Sequence, residues 1–335
     1  MSQIAAAPST GANRAAQLAA LEFAQKKPRS LWQDALRKLV RNRLAVIGLV
    51  ITLLLIFTAI AGDWIAPYPY TRQDLLRTAE GPTWDHLLGT DEVGRDLLSR
   101  IIGGARTATL VAFISTFFSV VIGMVMGITA SYGGRWANLL VTRLIDITMS
   151  IPTVLLAAMI AATFKPLILN QAKAIYAATG WAALKNTGWL ELLIVFGGLS
   201  IVFWPVFARL IRGQILSLRE KEFIEAARAV GVPEWLIALR YLIPNAIGPV
   251  IVYMTFTLSS GMVLESSLSY LGIGVMPPQA SWGNMIQSNI GSWSYRPWLV
   301  AVPAATLAIA TLGVNFLGDG LNDALNPQSQ TSKVV

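Results

Sequence analysis

Cysteine is missing from all 335 residues, and histidine occurs once, at His86. Neither a disulfide framework nor a thiol-ligated metal site can form. A multi-histidine metal centre is excluded as well, and no metal site is expected. Charged residues make up 13% of the chain, against about 25% in an ordinary soluble domain. Three catalytic signatures are also lacking. There is no GxxxxGK[ST], so no P-loop for ATP, and there is neither HExxH nor GxSxG. A catalytic role would lack a nucleophile–base constellation. The N-terminal 43 residues hold no apolar core of the signal-peptide kind, so no cleaved signal is expected.

What the chain has is apolar length. Hydrophobic residues make up 54% of it, and mean hydropathy is +0.57. Six stretches are long enough to cross about 30 Å of hydrocarbon as helices. The expected spans are residues 44–66, 107–132, 144–163, 190–210, 246–270 and 299–317. The membrane offers no water to backbone groups, so each should be helical. Gly123 and Gly127 give the second span a small-xxx-small face suited to close helix contact. No internal repeat stands out.

The net charge of +8 would raise the question of nucleic acid in a soluble protein. Here the basic residues sit beside the apolar spans, so they read as topology, and no nucleic-acid partner is expected. Lys26, Lys27, Arg29, Arg37, Lys38, Arg41 and Arg43 precede the first span. Arg135 and Arg143 follow the second, and Arg209, Arg212, Arg219, Lys221, Arg228 and Arg240 follow the fourth. The alternate loops are poorer, which puts both termini and the 209–246 loop in the cytoplasm. Residues 1–29 read as a mobile tail. Residues 30–43 read as a basic amphipathic helix in contact with lipid, or as an extension of the first span.

Between hydrophobic spans lies the polar segment Phe223–Pro244. It reads as two short helices broken at Gly231. Phe223, Ala226, Ala227 and Val230 recur at i, i+3, i+4 and i+7, which places them on one face. Glu222, Glu225 and Arg228 line a more polar one. Gly231 fits the position after a helix, where positive φ is often needed. Pro233 fits the first turn of the next helix. A small-residue face held at a membrane surface suits docking into a groove of a soluble partner.

Four further strings stand out. The long loop contains Gly89-Thr90-Asp91, Gly94-Arg95-Asp96 and Ser99-Arg100, where glycines suit turns and the alternating charges suit ion pairs. It reads as an ordered, charged cap, or as a solvated loop packed on the bundle. Arg143 and Asp146 can pair across one helical turn, and Pro152 would loosen the helix beyond them. Glu265 lies in or near the fifth span. A charge at mid-bilayer costs roughly 2.5–3.5 kcal/mol, so it should face the bundle interior or water. It either lines a solute path or serves as a structural hydrogen-bond acceptor. The string from Asn315 to Pro327, with Gly318, Asp319, Gly320 and Asp323, reads as a capped terminus.

Together these strings resemble a known family. Glu225-Ala226-Ala227, Gly231 and Pro244 resemble the EAA loop of ABC importer permeases. The 89–100 string resembles the GTDxxGRDxxSR signature of the dipeptide/oligopeptide/nickel permeases. Arg143–Asp146 with Ser150-Ile-Pro152, the stretch Val263–Gly283 and the 315–327 string match in the same order. The resemblance covers residues 30–327. Tyr241 and Ile243 depart mildly from the EAA pattern. Residues 165–189 look longer than the family expects, and an external amphipathic helix is expected there.

The resemblance implies an all-α, six-span permease of the type I importer fold, in a bacterial plasma membrane. It implies a non-catalytic subunit, with ATP and magnesium bound in partner chains and no cofactor here. The partners it implies are a second related permease, two cytoplasmic ATPase subunits and an external solute-binding protein. Residues 44–327 would be the permease domain, with an external loop at 67–106, a coupling loop at 209–246 and a tail at 328–335. Phe223, Glu225, Ala226, Ala227, Gly231, Pro233 and Pro244 would couple to the ATPase. The rival functions are a self-contained secondary transporter and a membrane scaffold that recruits cytoplasmic partners.

Overall fold

The computed structural model describes residues 31–185 and 188–325. The expected tails and the residues Ser30, Asn326 and Pro327 lie outside them. Among the described residues the elements are helical, save one isolated bridge between Thr90 and Asp96. Helix α1, Leu31–Arg41, is separate from α2, Arg43–Ile65. The joint is Asn42, whose side-chain oxygen accepts the amides of Leu44 at 3.1 Å and Ala45 at 3.3 Å. That satisfies two of the donors a helix start leaves open.

Six helices among the described residues are long and apolar enough to cross a membrane. These are α2, α3 (Leu97–Tyr132), α5 (Thr153–Thr179), α6 (Gly188–Arg219), the run from Glu234 to Tyr270, and α11 (Trp298–Leu325). The helices overrun several of the expected spans. The helix that holds the second span starts at Leu97, ahead of the expected crossing at Thr107, because Asp96 caps it and accepts the Ser99 amide at 2.8 Å. The third was expected at 144–163, across what is a break. Residues 144–150 belong to a separate helix, α4 (Gly134–Ser150), and α5 begins after Ile151 and Pro152. Pro152 thus starts a helix rather than loosening one, as its fixed φ and missing N–H favour.

Small residues set the close contacts. A Cβ on Gly123 would lie 2.9 Å from the Ala208 nitrogen, and one on Gly127 would lie 2.9 Å from the Ala208 carbonyl. Helix α3 therefore seats its glycine face on α6. Gly48 of α2 meets the Gly313 carbonyl of α11, and Gly320 of α11 meets Ala45. An added methylene at such contacts costs about 1–3 kcal/mol. Ala35 and Leu39 of α1 are buried in a cluster with Ala45 and Ala324, so α1 closes against the last helix. Leu36 and Val40 of the same helix stay exposed.

The fold has two distinct ends. At one, the segment 67–96 meets the loop after Tyr270, where the Tyr70 hydroxyl donates to the Gln279 side-chain oxygen at 2.9 Å. At the other, α7 (Glu222–Ala229) and α8 (Glu234–Ile237) form a helical hairpin. A widened helical turn, Ala238–Leu242, leads from α8 into α9, Ile243–Tyr270. Pro244 in the first turn of α9 has no N–H to return to the Arg240 carbonyl, and the widened turn lies just before it. A short helix, α10 (Trp282–Asn289), packs back at the capped end.

Candidate functional site

The hairpin is built to be stiff. Ile224 and Ala227 turn inward and are buried in a cluster with Ile215, Ile237 and Leu242. Gly231 sits at φ +81°. Its amide donates to the Arg228 carbonyl at 2.9 Å, and the Val232 amide donates to the Ala227 carbonyl at 3.1 Å. This paired arrangement is a Schellman ending, for which glycine is the preferred residue. The Pro233 carbonyl then accepts the amides of Leu236 at 2.9 Å and Ile237 at 3.1 Å.

Charge ties the two helices of the hairpin together and ties α6 to α3 beside it. Arg228 Nε donates to Glu234 at 2.6 Å, tying α7 to α8. The Glu234 carboxylate, through that hydrogen bond, holds the Arg228 guanidinium above its ordinary value. Arg219 donates to the Ser131 carbonyl at 2.9 Å, and its guanidinium lies 4.9 Å from the Tyr132 ring centre. Force applied to α7 therefore reaches α3 and α9 through packed contacts rather than a slack loop.

One expectation about the face fails. Phe223, Glu225, Ala226 and Val230 are exposed, but Ala227 is buried. The surface available to a partner is therefore Glu222, Phe223, Glu225, Ala226, Ala229 and Val230. Ala227 belongs to the inner side that anchors it. Helical spacing groups residues on a face, while the interior contacts of Ile224 decide which face turns in.

At the capped end, the charged string is a buried network rather than a solvated loop. Asp91 receives Arg95 Nε at 2.7 Å, and Arg100 Nε lies 3.6 Å away. Arg100 also donates to the Asn284 side-chain oxygen at 3.2 Å. The Asn284 amide donates to the carbonyls of Val275 at 3.2 Å and Gln279 at 3.0 Å. Asp96 accepts Ser99 Oγ at 2.7 Å and lies 2.9 Å from His86 Nδ1. Thr90 donates to the Arg77 carbonyl at 2.5 Å. Gly89 and Gly94 have φ of +81° and +72°, which supplies the turns between these side chains. The network staples the loop after α2 to the loop after α9.

Trp282 completes the staple. It is fully buried, and its indole N–H donates to the Ile101 carbonyl at 3.1 Å. Gly104 leaves room for it, since a Cβ there would lie 2.6 Å from the indole. Gly283 lets α10 reach the Ser266 carbonyl, which any Cβ would overlap. Glu265 lies within this seam and is fully buried. It accepts hydroxyls from Ser269 at 2.8 Å and Ser266 at 3.3 Å. Its burial among these hydroxyls fits the structural alternative.

The open surface lies elsewhere. A groove of about 590 Å³ lies among α5, α6, α9 and α11. Thr153, Ser259, Ser260, Ser267, Asn315 and Asp319 supply its polar lining. Asn315 and Asp319 were read as part of a terminal cap, yet α11 continues through them to Leu325. Gly318 there packs against Thr255. The four-residue spacing of Asn315 and Asp319 was the available signal that they share a helical face. Similarly, Asp146 pairs with Arg209 of α6 at 3.1 Å instead of Arg143.

Six spans, a partly polar groove among four of them and a packed helical hairpin at one end are the parts of a membrane permease. A family model described as binding-protein-dependent transport system inner membrane component matches residues 119–330. A second, the N-terminal TM domain of oligopeptide transport permease C, matches residues 30–82. The chain belongs to this family of ABC transporter permeases, as a multi-pass inner-membrane subunit of an ABC importer.

Its relatives align over nearly the full length. The dipeptide transport system permease protein DppC of Alkalihalophilus pseudofirmus is 33% identical, over 90% of this chain and 91% of its own. The oligopeptide transport system permease protein OppC of Haemophilus influenzae is 34% identical, over 92% and 93%. The glutathione transport system permease protein GsiD of Pectobacterium atrosepticum is 31% identical, over 94% and 97%. Among solved structures, a chain of the inward-facing MetNI methionine ABC transporter superposes with a TM-score of 0.50. That match has 21% identity and covers 69% of this chain and 98% of the other, which establishes the type I importer fold.

Proposed function

We propose that this permease imports a peptide, or a small solute of peptide-like size, together with a second permease, two ATPase subunits and a solute-binding protein. The carrying observation is the hairpin. Its outer face is exposed while its inner face is buried on Ile224 and Ala227, and it continues into a spanning helix through Pro233 and the turn before Pro244. The outer face seats in an ATPase subunit in the cytoplasm. ATP and magnesium are held by that partner. Closure of the ATPase pair pushes α7, and the spans rock between two packings, each favoured by a different bound state.

The groove supports the second permease. A carboxylate such as Asp319 is poorly matched to lipid tails. With the serines and Asn315 it forms a surface suited to water and a protein neighbour. The solute passes between the two permeases along it. The peptide class follows from the relatives named for dipeptides, oligopeptides and glutathione. The Lys and Arg pattern puts the hairpin and both termini on the cytoplasmic side and the cap outside.

The test is uptake into vesicles holding both permeases, with radiolabelled dialanine, a labelled pentapeptide and glutathione offered in turn through the purified binding protein. ATP-dependent uptake of at least one is expected, and none without the ATPases. Uptake that persists without them would make the chain a secondary transporter. ATPase recruitment with no uptake of any probe would make it a scaffold.

A further inference from the structure

We infer that the projecting end of α5, with its return turn, is the docking surface for the solute-binding protein, which meets it with an apolar slot rimmed by acidic side chains. The inference rests on the importer function proposed above. Lys165 fixes the level from which the projection starts. Its Nζ lies 3.2 Å from Glu191, in the first turn of α6, and donates to the Gly274 carbonyl at 2.6 Å. Beyond it the remainder of α5, Pro166–Thr179, runs on for roughly 21 Å at about 1.5 Å per residue. Gly180 ends the helix at φ +66°, and the chain returns through the turn Ala182–Leu184.

The projection stands outside the bilayer. Exposed Trp64 near the end of α2 and Trp189 at the start of α6 are the aromatic residues expected at a membrane boundary. Lys165 is level with Trp189's turn, so the residues after it leave the hydrocarbon. Yet the projection stays apolar. Leu167 is 54% exposed and Ile175 45%, and Ile168 and Trp181 are open as well. Ile168 and Ile175 are a heptad apart, with Gln171 between them, on one face. Ala172 and Leu184 are the residues this unit buries.

Charge and size select the partner. Lys173 and Lys185 are exposed, and residues 166–187 contain no Asp or Glu. Such a surface fits an acidic rim. Four or five side chains on one helix offer on the order of a few hundred Å², below the ~800 Å² per partner of stable complexes. That suits a protein that docks and leaves at each cycle, rather than a permanent subunit. The ATPases are assigned to the opposite end and the second permease to the groove lined by α9 and α11, which leaves the water-soluble binding protein.

The complete complex in lipid nanodiscs, trapped with ATP and vanadate, is titrated with purified binding protein. Ile168→Asp/Ile175→Asp and Lys173→Glu/Lys185→Glu should each weaken Kd at least tenfold, with subunit composition and basal ATP hydrolysis unchanged. A Kd within twofold of wild type in both variants overturns the assignment, as does loss of the second permease from the complex. Ile175→Cys, in a chain without native thiols, should cross-link to the binding protein. Cross-linking to the second permease alone overturns it. If the wild-type complex binds no binding protein and imports nothing, the importer function falls too. If wild type binds and imports while the variants match it, only this docking surface falls.

Discussion

Gly231 isolates a backbone effect. Its φ is +81°, and a Cβ built there would meet nothing within 4 Å. Substitution therefore brings no clash, only the cost of holding an L-residue in the left-handed region, about 1–2 kcal/mol. Gly231→Ala should lower the population of the closed hairpin by roughly 5–30-fold. Gly231→Val should cost more, since a β-branched residue is poorly tolerated there. Gly231→Asn should stay near wild type, because asparagine adopts this conformation more readily. Gly94 is the counter-case. Its φ is +72°, but a Cβ there would overlap the Asp74 backbone carbonyl, so Gly94→Asn should not be tolerated. The assay is co-purification of the ATPase subunits with each variant, paired with ATP-driven uptake in vesicles. The expected order at 231 is Gly, Asn, Ala, Val. Equal performance of Asn and Val, or wild-type uptake by Gly231→Val, would refute the claim that backbone conformation at the Schellman ending controls coupling.

Ala226→Arg and Ala227→Arg should separate docking from folding. The first places a cation on the exposed face and should cut ATPase binding while the hairpin stays protease-resistant. The second forces a cation into the Ile224–Ile237 cluster and should expose the hairpin to proteolysis; identical digestion patterns would count against the two-faced assignment. Asp91→Asn leaves the Arg95 and Arg100 guanidiniums buried beside a neutral amide, a loss of about 3–5 kcal/mol. A large fall in thermal stability in detergent is expected, and an unchanged melting curve would contradict the buried network. Sidedness is best read at open positions, because Asp91 is 3% exposed, whereas Leu76 is 96% and Val230 79% exposed. An impermeant thiol reagent should label Leu76→Cys in intact cells and Val230→Cys only after permeabilisation, and the reverse pattern would invert the topology.

Much of this architecture was legible because membrane crossing writes itself as apolar length. Span existence followed from composition, and Gly123 and Gly127 marked a contact that the packing on Ala208 bears out. Boundaries were less legible where a side chain, not hydropathy, sets them. Asp96 starts α3 well before the apolar run, and Pro152 divides a run that hydropathy treats as continuous. Pairing rules based on local spacing also miss partners distant in sequence. Asp146 was matched to Arg143, three residues away, while Arg209 on α6 takes it. Glu265 is expected from sequence to face the bundle interior or water, and its spacing to Ser269 does not show that α10 would pack over the neighbouring Ser266. The groove was the largest omission, since Asn315 and Asp319 gain meaning only when α9 lies beside α11.

The contact of α2 with α11 imposes an order on biosynthesis. The first crossing segment emerges at once, but the glycine-lined strip that receives it is translated last. At about 5–20 residues per second the interval is on the order of tens of seconds. During that wait Ala45, Gly48 and Ile51 face lipid or another occupant of the insertion site. The segment must survive alone, and α2 is the most apolar of the six spans. Ribosome stalling shortly before residue 313 should therefore leave α2 inserted yet unpaired, its glycine notch open to any neighbouring helix that reaches it first.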